Sequence, residues 1–144
     1  SPVLLALLRL PTIFGVFVAT DINATVAGAA NLKASATANV TVTDTAGGVT
    51  LVGGLTQNVT AKGGYALSGS KGAITVVDSA QGAVNSTVDD GTSVSITSTS
   101  KNAGGTTGTI TVGDAVGATL SSTATGTVAV AVAPLSSVIV RVTV

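Results

Sequence analysis

The sequence predicts an all-β protein: an antiparallel β-sandwich, jelly-roll or immunoglobulin-like, with an extended apolar N-terminal arm. Three observations carry this expectation. Apolar and polar residues alternate with period two from residue 21 onward. Gly-, Asn- and Asp-rich turn signals interrupt the alternation about every 8–12 residues, the rhythm of hairpin-connected sheets. No segment after residue 20 carries helical periodicity with caps. Two regions follow, an apolar arm over 1–20 and a β-sandwich domain over 21–144.

The arm comes first. Residues 3–19, VLLALLRLPTIFGVFVA, form the one long apolar run. It lies near the lower limit of the roughly 17–25 residues that cross a bilayer. Arg9 sits in its middle and Pro11 interrupts a helix there, which disfavours a membrane span. Residues 12–18 carry β-branched and aromatic side chains on both faces, the pattern of a strand buried on both sides. Three readings stay open: an arm that completes a neighbouring subunit's sheet, a first strand in the chain's own core, or a pilin-type helix. The arm residues are Leu4, Leu5, Leu7, Leu8, Ile13, Phe14, Val16, Phe17 and Val18. Strand addition would supply main-chain hydrogen bonds while alternate side chains fill pockets. Position 1 is Ser and the chain has no Met; loss of the initiator alone or removal of a whole leader peptide explains this, and the composition favours the leader.

The domain follows as a series of strands. The clearest runs from Lys33 to Thr43, with Ala34, Ala36, Ala38, Val40 and Val42 on one face and Lys33, Ser35, Thr37, Asn39, Thr41 and Thr43 on the other. The same alternation predicts strands near 22–27, 49–52, 55–61, 65–68, 73–78, 83–88, 92–99, 106–112, 118–125, 127–133 and 137–144. Ala46-Gly47-Gly48, Gly53-Gly54, Lys62-Gly63-Gly64, Asp89-Asp90-Gly91 and Asn102-Ala103-Gly104-Gly105 serve as hairpin turns between them. A β-solenoid is the rival architecture. It demands a repeat of fixed period, and no period holds across three copies.

Composition narrows the function. The 144 residues include six Lys plus Arg and six acids, all Asp, for a net charge of zero. Thr, Val, Ala, Gly and Ser make up about 70% of the chain. His, Cys, Met, Trp and Glu are absent. Without His or Cys the usual zinc, haem, copper and iron–sulfur sites cannot form, nor can Ser-His-Asp or Cys-His nucleophile systems. No enzyme activity and no cofactor are expected. Without a basic excess or aromatic platforms, neither is nucleic-acid binding. A core of Val, Ala, Leu and Ile under a weakly charged surface favours association with other copies.

The remaining motifs are weak. Asp89-Asp90-Gly91 could lend oxygens to calcium, but no D-x-D-x-D series accompanies it and a turn is the better reading. Asp44, Asp78 and Asp114 sit at strand ends, where Asp caps turns. Ser68-Gly-Ser-Lys71 and Ser98-Thr-Ser-Lys101 fit S-x-x-K, but S-D-N and K-T-G are missing. Gly104–Gly108 lacks the G-K-[ST] ending of a phosphate loop. Lys33, Lys62, Lys71 and Lys101 lie at strand ends or turns, where Lys protects sheet edges. Asn23, Asn39, Asn58 and Asn85 each open an N-x-T sequence and are candidate N-glycosylation sites.

An apolar N-terminal segment before a Thr/Val/Ala/Gly/Ser β-domain, poor in charge and rich in sequons, resembles prokaryotic extracellular filament subunits, notably archaeal ones. In donor-strand pili an N-terminal strand inserts into the next β-sandwich; in archaeal type IV pilins and archaellins an apolar helix packs in the filament core. Arg9 and Pro11 favour the strand variant. The resemblance implies a secreted, cell-surface pilus or fimbrium: a homopolymer of identical subunits held by donor-strand complementation, glycosylated, and without membrane contact in the mature form. The alternative is a surface-layer or adhesive β-module whose loops, such as 89–91 or 101–105, hold a glycan or cell-surface ligand.

Overall fold

The protein is described here from a computed structural model. It describes residues 4–10, 13–17, 19–79, 84–98, 110–113, 118–122, 130–133 and 138–142, with side chains placed for 19–79, 84–98 and 110–113. The chain is all-β, as the alternation predicts, but the strands are parallel. The expected antiparallel β-sandwich is replaced by a β-solenoid of stacked coils.

Each coil contributes one strand to each of two sheets. The first sheet has eight strands in chain order: β1 (Leu4–Leu10), β3 (Asp21–Val26), β5 (Asn39–Asp44), β7 (Thr56–Ala61), β9 (Ala73–Asp78), β11 (Ser93–Ser98), β13 (Ala118–Ser122) and β15 (Val138–Val142). The second has seven: β2 (Ile13–Phe17), β4 (Ala30–Ala34), β6 (Val49–Gly53), β8 (Tyr65–Ser70), β10 (Ser86–Asp90), β12 (Ile110–Gly113) and β14 (Val130–Ala133). Every described pairing is parallel. Parallel neighbours need a crossover between them. Here the crossover is the strand of the opposite sheet, so β6 carries the chain from β5 to β7. Eight strands about 4.8 Å apart stack over about 34 Å.

Parallel register places like residues in columns along the axis. Ile22, Val40, Gln57, Ile74 and Val94 form one inward column of the first sheet. Ala24, Val42, Val59, Val76 and Ile96 form the next. From the second sheet Leu32, Leu51 and Leu67 stack toward them. All of these side chains are buried. β-branched residues suit such ladders because their stiff χ1 packs well on a pleated surface. The intervening residues form columns that face outward.

The corners carry the turn chemistry that the sequence assigns to hairpins. At the β5–β6 corner, Asp44 Oδ1 accepts hydrogen bonds from Ala46 N at 2.9 Å and Gly47 N at 2.6 Å. Gly63 N donates to Gly47 O at 2.6 Å, so one corner rests on the next. A Cβ on Gly47 would run into the carbonyl oxygen of Gly28 in the coil before. The strand expected over 33–43 is two strands. The chain turns between them, with Ala38 N donating to Ser35 O at 3.0 Å, and Ala36 lies exposed at the corner. Coil length varies, which hides the repeat: Asp21 pairs with Asn39 across 18 residues, whereas Val94 pairs with Ala118 across 24 (118 − 94). Among the described residues, β1 and β2 share their two sheets with the strands that follow.

Candidate functional site

The expected arm residues form the first coil. Leu4, Leu5, Leu7 and Leu8 lie in β1, which pairs in parallel with β3; Ile13, Phe14, Val16 and Phe17 lie in β2, which pairs with β4. Val18 lies outside the described residues. Leu5 and Leu7 hold register positions that continue the Ile22 and Ala24 columns. Phe14 is in register with exposed Asn31, and Phe17 with buried Ala34. Among the described residues β1 and β2 are each paired on one side only. An edge strand presents unpaired N–H and C=O groups to any further strand.

The sequons fall in two places. Asn23, Asn39 and Asn58 are exposed on the outward face of the first sheet. Asn23 and Asn58 share one column, with Thr41 between them. Asn39 is held laterally: its Nδ2 donates to Asp21 Oδ1 at 3.3 Å, and its Oδ1 accepts from Thr56 Oγ1 at 2.8 Å. Asn85 is exposed just before β10.

Several polar groups lie inside the rod. Gln57 interrupts the first aliphatic column; its Nε2 donates to Gly53 O at 2.7 Å and Ser68 O at 2.9 Å, while Oε1 has no hydrogen-bond partner. Asp44, Asp78 and Ser98 are buried at the first sheet's trailing corner, with Ser98 Oγ and Asp78 Oδ2 3.3 Å apart. Asp44 Oδ2 has no partner. The Tyr65 hydroxyl is held far above the ordinary phenol range by burial and, second, by the Asp78 carboxylate. The Ser86 hydroxyl pulls the other way. Ser86 Oγ accepts instead from Tyr65 N, at 3.3 Å, and Tyr65 Oη makes no hydrogen bond. The sequence reading singled out neither Gln57 nor Tyr65 for such roles. Their only signal is a polar or aromatic residue in an otherwise aliphatic phase.

Among the described residues no group of three His, Cys, Asp or Glu could hold a metal. Asp89-Asp90-Gly91 is a coil corner rather than a hairpin; Asp90 has φ 71° and its Oδ2 accepts from Gly69 N at 2.9 Å. In the first S-x-x-K, Ser68 is half-buried in β8, and Ser70 Oγ donates to Leu55 O at 3.2 Å. In the second, Ser98 is buried and residues 99–101 lie outside the described residues, as do Asp114 and Gly104–Gly108. Two open, shallow depressions lie on the outer face of the second sheet. Thr50, Ala66 and Thr87 line both, joined by Asn31 and Asn85 in one and by Val52 and Asp89 in the other. Among the described residues no helix is long and apolar enough to cross a membrane.

Compared with known protein families, curated proteins and solved structures, the chain gives no match.

Proposed function

We propose that this chain is a non-catalytic structural subunit of an extracellular filament, joined to identical subunits through its apolar N-terminal segment. The observation that carries the reading is the position of that segment. Among the described residues β1 and β2 lie at one end of the stack, each paired on one side only. Adding a neighbour's strands to those edges continues both ladders. A head-to-tail contact of that kind does not close on itself and generates a filament. Burial of an apolar side chain stabilises by roughly 1.5–3 kcal/mol, so burying a few apolar residues of the segment suffices for a lasting joint. Exposed Asn23, Asn39, Asn58 and Asn85 offer glycan acceptors on the outside of such a fibre.

Negative-stain microscopy of the purified chain tests this. Filaments are expected from the full chain, and none after deletion of residues 1–20. A full chain that stays monomeric at every concentration overturns the reading. The depressions along Thr50, Ala66 and Thr87 favour the second reading, a surface module that binds a glycan. That module would stay monomeric and bind sugar.

A further inference from the structure

We infer that the outward face of the first sheet over β3–β11 is an ice-binding surface: a charge-poor grid of mostly hydroxyl and amide groups that orders water on a lattice. The inference is independent of filament assembly, because it concerns the side of the rod and not its end.

The grid is made by register. Asn23, Thr41, Asn58, Thr75 and Ser95 form one outward column on β3, β5, β7, β9 and β11. Thr25, Thr43, Thr60, Val77 and Thr97 form a second, two residues further along each strand. Strand spacing puts neighbours in a column about 4.8 Å apart, and the parallel-strand rise puts the two columns about 6.6 Å apart. Oxygen rows on the prism face of hexagonal ice repeat at two spacings of this order, the longer one somewhat greater than the column separation. Water held by hydroxyls on such a grid is therefore close to the positions it takes in the crystal.

Three features of the face point to water as its partner. First, none of these side chains hydrogen-bonds to another described residue, and all of them are exposed or half-buried. Second, charge is nearly absent. Asp21 is the one ionised group at the outward positions of β3, β5, β7, β9 and β11, and it accepts from Asn39 Nδ2. Charged side chains orient their own hydration and break a lattice; Lys33 and Asp89 lie on the other sheet. Third, the grid is stiff. Thr and Val have restricted χ1, and they stand on the buried Val42–Val59–Val76 ladder. Many weak contacts at fixed spacing add without each being ordered separately. The second sheet lacks these properties. Its outward positions mix Lys33, Val52, Ala66 and Asp89, and its ladder shifts register between Val88 and Asp90.

Asn23 and Asn58 belong both to the grid and to sequons, so a glycan there would cover the face. The test therefore uses the full chain made in a bacterial host that attaches no glycans, and it measures the gap between melting and freezing of a seeded ice crystal together with crystal shape. The wild-type chain is expected to open a gap and to facet the crystal. Thr60→Tyr should lose most of that gap and Thr60→Val, which keeps the shape but not the hydroxyl, part of it. Thr87→Tyr, on the outer face of the second sheet, should keep the gap. Circular dichroism of each variant confirms that the fold is retained. Rounded crystals with no gap from the wild-type chain overturn the inference. So does equal loss in folded Thr60→Tyr and Thr87→Tyr. Concentration-dependent pairing of copies through this face, without an effect on ice, overturns it too.

Discussion

Gln57 Nε2 donates to the carbonyl oxygen of Ser68 at 2.9 Å, tying the first sheet to the second across the interior of the rod. Gln57 sits between Val40 and Ile74 in a column that is otherwise aliphatic. Its second bond, to Gly53 O, reaches the coil before. Removing the amide strands two carbonyls and opens a void. Gln57→Ala should lower unfolding free energy by about 2–4 kcal/mol. Gln57→Leu fills the void but leaves the carbonyls unpaired, and should cost about 1–3 kcal/mol. Urea denaturation midpoints check both. Equal stability of Gln57→Ala and wild type would remove the strap from the account.

Gly53 closes β6 with φ +88°, and an added Cβ would meet the carbonyl oxygen of Ala34 in the preceding coil. Strain and collision act together there. Gly53→Ala should destabilise by at least about 1–3 kcal/mol. A thermal melt of the variant checks this.

Tyr65 is the only tyrosine, so phenolate absorbance reports on it alone. Its ordinary pKa is 10.0, and in the folded chain burial and Asp78 push it well above that. Below pH about 10 the phenol is neutral in both states and its contribution to stability is intact. Above that pH the unfolded chain releases the proton and the folded chain keeps it. Stability therefore falls with rising pH, by about 1.4 kcal/mol per unit from this group. Absorbance and loss of β circular dichroism should change together. Tyr65→Phe should remove this part of the alkaline sensitivity, and because Oη makes no hydrogen bond it should cost little at neutral pH. A phenol that titrates near pH 10 while the fold persists contradicts the burial of Tyr65.

Phe14 and Phe17 separate assembly from folding. Phe14 is in register with exposed Asn31, and Phe17 with buried Ala34. Phe14→Asp should leave the monomer folded and block filaments, whereas Phe17→Asp, in register with buried Ala34, should weaken the fold itself. Filaments should also survive about 1 M sodium chloride, where screening reaches within about 3 Å, because so little charge is available to hold them. Light scattering and circular dichroism on the two variants distinguish the effects.

The strands were legible because period-two alternation is common to every sheet. The phase at Val40, Val42, Val59, Val76 and Ile96 places them inward in either architecture, and they are buried. Strand direction leaves no such mark. Gly47 and Gly63 are turn residues in a hairpin and in a coil corner alike; stacking of one on the other shows which. The turn at Ser35–Ala38 has no Gly or Pro, so 33–43 looks continuous. Corners absorb insertions of different length, so the coil does not emerge as a fixed repeat. The outward Thr and Asn positions were visible one strand at a time, as sequons and alternation. Their columns required the register.

The parallel coil is the central claim, and engineered disulfides test it most directly in a chain without native cysteine. An antiparallel hairpin turning at Ala46-Gly47 would set Thr43 opposite Thr50. The solenoid sets Thr43 beside Thr60 and sends Thr50 to the outer face of the other sheet. Adjacent parallel strands about 4.8 Å apart fall within the Cα separation of about 4.4–6.8 Å that a disulfide accepts. Under mild oxidation the double variant Thr43→Cys/Thr60→Cys should form an intramolecular disulfide in high yield, and Thr43→Cys/Thr50→Cys should not. Cross-linking of the 43/50 pair with none at 43/60 would contradict the solenoid.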